Sequence, residues 1–500
     1  MEPLSRLLET CDKIEVDDIS RNHLLFIDDI KLLATDQPML QHLCDCTLRF
    51  MQKVGFKINK QKSATNTRID DFVETELDQI NGYKYLGVYE NSNNIIKEEN
   101  KILIKDKVIN RISKLCQTKL NAINLFSAIN EYAISNINYF VGLAPYKVNE
   151  FKQFDKDIRR ILYQYNIIRK SSNIDRLYLN RKELGRNLTN IEHRAELILL
   201  GLHEYLGRNN ESRTILSNEV SNGTYLGMIK YNLSEKYCVE MFDLSIIKEK
   251  QKTKIHESIS AKKLHSELFN NDNVDIKMSS LWLSKANISP QQEGILCKIQ
   301  DRNLYFNNTT CPCKRSLKSV DHLATRCGRM AHNQYKHRHD EVARSIHLFL
   351  ANQYGITKRK RMKNYVCESV VSNNNVVIKY DNPISTELVI QHNRPDILVH
   401  DKQKNEIMII EIGITNKEIL DQVEKEKMIK YDLLSKELAS LHNANVTTIP
   451  VVMTWDGLTT KNLAKHIGKI GLPNKILAYI QQGVIRHTSD IILNDLGQAE

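Results

Sequence analysis

Between residues 394 and 415 the chain alternates short apolar runs with polar breaks: ILV at 397–399, DKQKN at 401–405, IMII at 407–410. Apolar runs of that length between turn residues read as buried strands, and the polar break between them makes a hairpin. Pro395 ends the extended segment before the first run. From Asn416 to about Leu441 the apolar positions change to helical spacing, with Ile419, Val423, Leu434 and Leu438 along one stripe, so one helix is expected there. TTIPVVMTW at 447–455 returns to a strand that ends near Asp456-Gly457. Near the N-terminus, HLLFIDDIKLLA at 23–34 places apolar runs on both sides of two acids, the pattern of a β-hairpin, and a helix-like stretch follows from Leu40 to Val54. INRISKLCQTKLNAINLF and EFKQFDKDIRRILYQY carry helical spacing in the 93–205 segment, and 206–300 reads as a polar helical linker. The last forty residues read as packing helices. There is no long low-complexity segment and no internal repeat.

The expected hairpin carries an acid on each arm: Asp396 at the end of one strand and Glu411 inside the next. Carboxylates converging from adjacent strands are the hard oxygen ligands that Mg²⁺ or Mn²⁺ needs for phosphodiester cleavage. Such sites usually keep a lysine two residues after the second acid, but that position is Gly413. Lys427 and Lys430 fall on the apolar stripe of the following helix. There an ammonium points inward and needs an acidic partner, unless the pair lies only at the boundary of the stripe. Asp28 and Asp29 sit where a hairpin tip would present two carboxylates. A polymerase holds metal ions on such a tip, and a plain surface turn uses the same residues.

Five hundred residues are enough for about three or four domains. The net charge of +11 favours a polyanionic partner. KRKRMK at 358–363 concentrates Lys358, Arg359, Lys360 and Arg361 just ahead of the acidic hairpin, and suits phosphate contact or nuclear import equally. No apolar run reaches membrane-spanning length and MEPLSRLLET is no signal peptide, so a soluble intracellular protein is expected. Ten cysteines in such a chain argue for reduced thiols. Within CPCKRSLKSVDHLATRC, Cys311, Cys313, His322 and Cys327 supply four ligands for a closed tetrahedral Zn²⁺ site, with His332, His337 or His339 able to replace one of them.

The order of these motifs resembles a known family. FIDD, GFKINKQKSAT at 55–65 and YKYLGV at 83–88 resemble the last three motifs of the reverse transcriptases of non-LTR (LINE-type) retrotransposons, and RLYLNRKELGRNL at 176–188 resembles the segment after their thumb. The cysteine knuckle, RHDEVAR, RPDILV and KMIKY resemble the C-terminal half of those elements that carry a restriction-like endonuclease. About nine-tenths of the chain is covered. The resemblance implies an α/β and α+β multidomain chain: a partial reverse-transcriptase palm (1–92), a helical thumb (93–205), a helical linker (206–300), a CCHC zinc-knuckle module (301–350), a PD-(D/E)xK restriction-like endonuclease domain (351–460) and C-terminal helices (461–500).

The resemblance further implies target-primed reverse transcription, in which the endonuclease nicks DNA and the polymerase extends the freed end on element RNA. Asp396 and Glu411 match the metal-binding acids, with Glu where many relatives have Asp. Lys427 and Lys430 match the helix lysines that replace the strand lysine, Arg394 a phosphate contact, and Lys62 the lysine near the incoming nucleotide. The expected partners are target DNA, element RNA and a full-length element protein, with nuclear and cytoplasmic localisation and no membrane. Only 27 residues precede Asp28, and the Asp17-Asp18 pair lies too close to the hairpin to be the missing palm strand. The chain alone is therefore expected not to synthesise DNA.

Overall fold

The computed structural model describes the chain except residues 17–18, 68–74, 77–81, 94, 145, 270–272, 306–308, 330–332 and 498–500. Asp17, Asp18 and His332 therefore lie outside the described residues. The fold is mixed α and β, with small two-stranded sheets and one five-stranded mixed sheet. It divides into two compact units, the first made of 1–114, 129–159 and 189–251 and the second of 115–128, 160–188 and 252–500. These units interleave along the chain and do not follow the segment boundaries expected from the motifs. No helix among the described residues is long and apolar enough to cross a membrane.

In the first unit, helix α1 (Glu2–Leu8) and helix α2 (Gln37–Lys53) pack through Leu4, Leu8, Leu43 and Met51. The α2 helix starts where Asp36 accepts from the Met39 N–H at 2.8 Å, a side-chain cap for an otherwise unpaired donor. Strands β1 (His23–Phe26) and β2 (Asp29–Leu32) form a two-residue hairpin, and β3 (Tyr83–Tyr85) and β4 (Val88–Glu90) form another.

The second unit is built on a sheet ordered β9-β8-β7-β6-β5: β5 (Val370–Ser372), β6 (Val376–Tyr380), β7 (Ile397–Asp401), β8 (Glu406–Thr415) and β9 (Asn445–Thr454). The first four pair antiparallel, and β9 runs parallel to β8. A parallel pair requires a crossover, which the helices after β8 provide. One face of the sheet buries Ile397, Val399, Ile410 and Ile412 beneath Val342, Ala343, Ile346 and Leu350 of a long helix, Asn333–Gln353. The other face buries Leu398, Ile407 and Ile409 beneath Tyr431, Leu434 and Leu438. Strand alternation thus sends successive residues of β7 and β8 into two separate cores.

Residues 281–297, within the segment read as a polar linker, place Trp282, Leu283 and Leu296 in a core of the second unit. That core is bordered by buried charge. Glu293 has no exposed surface and binds Arg181 at 2.6 Å and Arg186 at 2.7 Å, while Arg176 binds Asp301 at 3.1 Å. All three arginines come from RLYLNRKELGRNL. Burial pushes the Glu293 carboxyl up, but the two guanidiniums outweigh it and hold it below the ordinary value. The turn between these arginines needs Gly185, because a Cβ there would lie 2.0 Å from the Leu179 carbonyl oxygen.

Glu293→Gln should therefore leave two buried guanidiniums short of their counter-charge and lower the stability of the second unit by about 3–5 kcal/mol. The chain has two tryptophans, Trp282 and Trp455, and both are buried in this unit. Urea unfolding followed by tryptophan fluorescence reads the loss directly; an unchanged midpoint would contradict this account of the network.

Candidate active site and metal centre

Ile397 pairs with Ile410 across the β7–β8 hairpin, and one further step along the same register sets Asp396 opposite Glu411. The fourteen residues between the two acids are simply the path down one strand, around the turn and back up the other. Asp396 Oδ2 accepts from the Ile412 N–H at 2.7 Å, and the Asp396 N–H reaches Glu411 Oε2 at 3.4 Å. Glu411 is 1% exposed, so its charge needs partners. Lys427 Nζ and Lys430 Nζ both donate to Glu411 Oε1, at 2.6 and 2.7 Å. The lysines that interrupt the apolar stripe thus point inward onto the second acid, leaving one net positive charge around that carboxylate.

The single helix expected over 416–441 is interrupted. A short 3-10 turn at Lys417–Ile419 leads into Leu420–Ile429, and a separate helix follows at Asp432–His442. The break falls at Tyr431, whose ring is buried against Leu434 and Leu438 while its hydroxyl donates to the Arg394 carbonyl at 2.8 Å. Ile419 is 41% exposed and does not join the buried stripe. Gly413 explains why the lysines come from this helix. A Cβ at 413 would meet Val452 Cγ2 at 3.1 Å and Val423 Cγ1 at 3.2 Å, so the bare backbone is what allows the 420–429 helix to lie close to the sheet.

Asp396 also meets a residue whose place here the motif reading did not foresee. His339, on the Asn333–Gln353 helix, contacts Asp396 Oδ2 through Nε2 at 3.2 Å and Asp340 Oδ1 through Nδ1 at 3.3 Å. It stands in this cleft and is absent from the cysteine cluster, and His337 is exposed outside that cluster. Burial lowers the His339 pKa, but the two carboxylates outweigh it and raise it. For Asp396, burial pushes upward, and His339, the Ile412 N–H and Lys427 together hold the carboxyl below its ordinary value. The cleft has a volume of about 350 Å³ and is lined by acids (Asp340, Asp381, Asp396) and bases (Lys336, His339, Arg394). Arg394 sits at its rim, with Nε 2.8 Å from Asp381 Oδ1. Lys358, Arg359, Lys360 and Arg361 are exposed on the loop leading to β5. The adjacent Asp396 and Glu411 carboxylates fit a Mg²⁺ ion by donor chemistry, since that ion takes one or two carboxylates and fills its other positions with water and phosphate oxygens.

The cysteine cluster is assembled by local turns. The Lys314 N–H bonds the Cys311 carbonyl at 2.7 Å in a turn where Lys314 takes a left-handed conformation. Ser319 caps the 320–325 helix by accepting from the His322 N–H at 3.2 Å, which fixes the histidine on the first turn. Ligand atoms of Cys311, Cys313, His322 and Cys327 lie within 4.8 Å of one another. Cys311 Sγ and Cys327 Sγ are 3.7 Å apart. A tetrahedral Zn²⁺ with Zn–S bonds of 2.3 Å would separate two thiolates by about 3.8 Å, so the residues fit a zinc ion. The Asn333–Gln353 helix holds this module in place. Tyr335 accepts from the Cys327 N–H and donates to the Leu323 carbonyl, and Arg338 donates to the Ala324 carbonyl at 2.8 Å.

In the first unit the three N-terminal motifs come together. Lys31, beside the β1–β2 turn, pairs with Glu90 and stands over the Tyr85 ring, and the Tyr83 hydroxyl donates to the Lys62 carbonyl. Asp28 and Asp29 are exposed at the tip, where Ile27 adopts a left-handed conformation unusual for a β-branched residue. Lys62 is exposed on a 3-10 turn. Among the described residues no third strand joins β1 and β2.

The chain matches no family model and no curated protein.

Gly413→Ala should cost about 1–3 kcal/mol in the stability of the second unit, as overpacking at a well-filled contact does. Tryptophan-detected urea unfolding measures it, and the Gly413→Ala/Val423→Ala double substitution should recover part of the loss. If the single substitution is neutral, the close approach is not what keeps glycine at this position.

Proposed function

We propose that the chain is a retrotransposon-derived protein whose second unit is a Mg²⁺-dependent DNA endonuclease of the restriction-like PD-(D/E)xK type. The observation that carries this reading is the placement of Asp396 opposite Glu411 on adjacent strands, with Lys427 and Lys430 on the second carboxylate. Two lysines concentrated on one carboxylate of the pair suit a polyanion that can draw on their positive charge. In this reading residues 351–460 form the nuclease domain and 301–350 a zinc knuckle that grips nucleic acid. Residues 461–500 close the core, 1–92 and 93–205 take the palm and thumb places of the LINE-type pattern, and 206–300, in the linker's place, adds Trp282 and Leu283 to a core of the second unit. Target DNA and element RNA are the partners, and a nuclear and cytoplasmic protein follows from that substrate.

A bound Mg²⁺ would polarise the scissile phosphate and lower the pKa of the attacking water. Asp396 and Glu411 would hold it. Lys427 and Lys430 stand where they can balance charge that develops on the phosphate, and Arg394 with the 358–361 run can contact the DNA backbone. His339, bonded to Asp396, keeps that carboxylate in place and would hold or release a proton beside it. Because Glu411 is longer than aspartate by a methylene, it would shift a bound ion by about one bond length and weaken a geometry that Mg²⁺ holds strictly.

Two outcomes are expected. Purified chain with Mg²⁺ should convert supercoiled plasmid to nicked circle, and either Asp396→Ala or EDTA should reduce the rate by at least about a hundredfold, while salt-sensitive DNA binding survives the substitution. Binding without any nicking by the unmodified chain would instead support a catalytically dead nucleic-acid-binding remnant. The exposed Asp28 and Asp29 beside Tyr83, Tyr85 and Lys62 favour a second reading of the first unit as a reverse-transcriptase remnant. Because among the described residues no third strand joins the β1–β2 hairpin to add a metal-sharing acid, the chain is expected to give no primer extension with Mg²⁺ or Mn²⁺ unless a full-length element protein completes it. Extension by the chain alone would sink the remnant reading.

A further inference from the structure

Far along the chain from the knuckle, the first unit holds a second group of soft ligands. His42 and Cys46 lie four residues apart on α2, which puts them on one face a single turn apart. Cys46 Sγ is 3.7 Å from His42 Nε2, and Cys11 Sγ, from the turn after α1, is 4.0 Å from Cys46 Sγ. All three ligand atoms lie within 4.8 Å of one another. A tetrahedral zinc site with bonds of 2.3 Å to sulfur and about 2.05 Å to nitrogen would set these separations at about 3.6 and 3.8 Å. Those two separations therefore need changes of only a few tenths of an ångström to share one ion, and the third, Cys11 to His42, is within 4.8 Å.

The turn that presents Cys11 is built. Asn22, fully buried, directs its side-chain amide at three consecutive-turn carbonyls: Leu8 at 2.6 Å, Asp12 at 2.9 Å and Cys11 at 3.4 Å. One amide gathering those oxygens fixes the backbone on both sides of the cysteine, so the thiol is held toward α2 before any ligand arrives. Beneath it Cys11 and Cys46 pack against the Leu4, Leu8, Leu43 and Met51 core. Cys44, two residues from His42, turns into the interior and is 2% exposed, so it is not one of the ligands. The half-buried thiols and the exposed imidazole leave the outer side of the group open to solvent.

We propose that Cys11, His42 and Cys46 form a second metal site, which takes a thiophilic ion such as Zn²⁺ with water in the remaining tetrahedral position. Two thiolates and an imidazole discriminate against the hard ions that carboxylates select, so this site is distinct in chemistry from the Asp396–Glu411 pair. Bound there, the ion ties the end of α1 to α2 and steadies the Asn22 turn from which the β1–β2 hairpin starts.

Zinc content of the full chain, purified under reducing conditions without chelator and measured by plasma mass spectrometry, tests the assignment. Two zinc ions per chain are expected. His42→Ala and Cys46→Ser should each lower this to one, and Cys311→Ser with Cys327→Ser should also leave one. A single zinc that the Cys311/Cys327 variant loses overturns the proposal, as do two zinc ions retained by Cys46→Ser. The unmodified chain gives an independent answer if a variant does not fold. Cys11 and Cys46 should resist iodoacetamide until a zinc chelator is added, and equal labelling before and after chelation counts against the site.

Discussion

Two carboxylates set side by side at the end of a buried hairpin repel each other and resist leaving water, and much of the second unit is arranged around that cost. The β7–β8 register forces Asp396 and Glu411 into this position. Partners for the two acids then come from both faces of the sheet. The helices on one side deliver Lys427 and Lys430 to Glu411, and the long helix on the other side delivers His339 to Asp396. Without the two lysines the sheet would bury an unpaired Glu411 charge worth several kcal/mol of destabilisation. With them, each carboxylate has a partner of opposite charge or a hydrogen-bond donor within reach.

The same economy of buried charge recurs around the site. Arg302 reaches Asp456 Oδ2 at 2.6 Å and Asp321 at 3.0 Å, and Asp321 also accepts from the Trp455 ring N–H at 3.0 Å. Asp321 belongs to the cysteine module and Asp456 to the turn after β9, so the network ties the module to the end of the sheet. Such fully satisfied networks fix a single arrangement, because every alternative strands a charged group away from water.

The strands 397–399 and 407–410 were legible because burial on both faces writes itself into short continuous apolar runs, a local signal. The inward lysines were legible for a related reason: an apolar stripe makes a cation on it conspicuous. The break at Tyr431 was not, since helical spacing continues through it and the Tyr431 bond to the Arg394 carbonyl is a tertiary contact that no local pattern reports. His339 was read only as a spare zinc ligand. Its true neighbour is 57 residues away, and no periodicity reports such a contact. The four residues of the cysteine cluster stood out by proximity in sequence, whereas Cys11 and the His42/Cys46 pair are separated by thirty residues of chain and meet only through the packing of α1 on α2. The reading of 206–300 as a linker failed where it included Trp282 and Leu283, because average polarity hides a short apolar segment that fills a core.

The Asn333–Gln353 helix carries Tyr335 and Arg338 on the cysteine module and His339 on Asp396 within five residues. A rigid rod with both contacts on one turn makes the two sites mechanically continuous. Any free energy by which zinc at the knuckle alters ligation at Asp396 must be returned in equal measure by ligation at Asp396 to the zinc. Binding at the cysteine cluster and binding at the Asp396 cleft would then be one linked equilibrium, with about one helical turn as the lever between them.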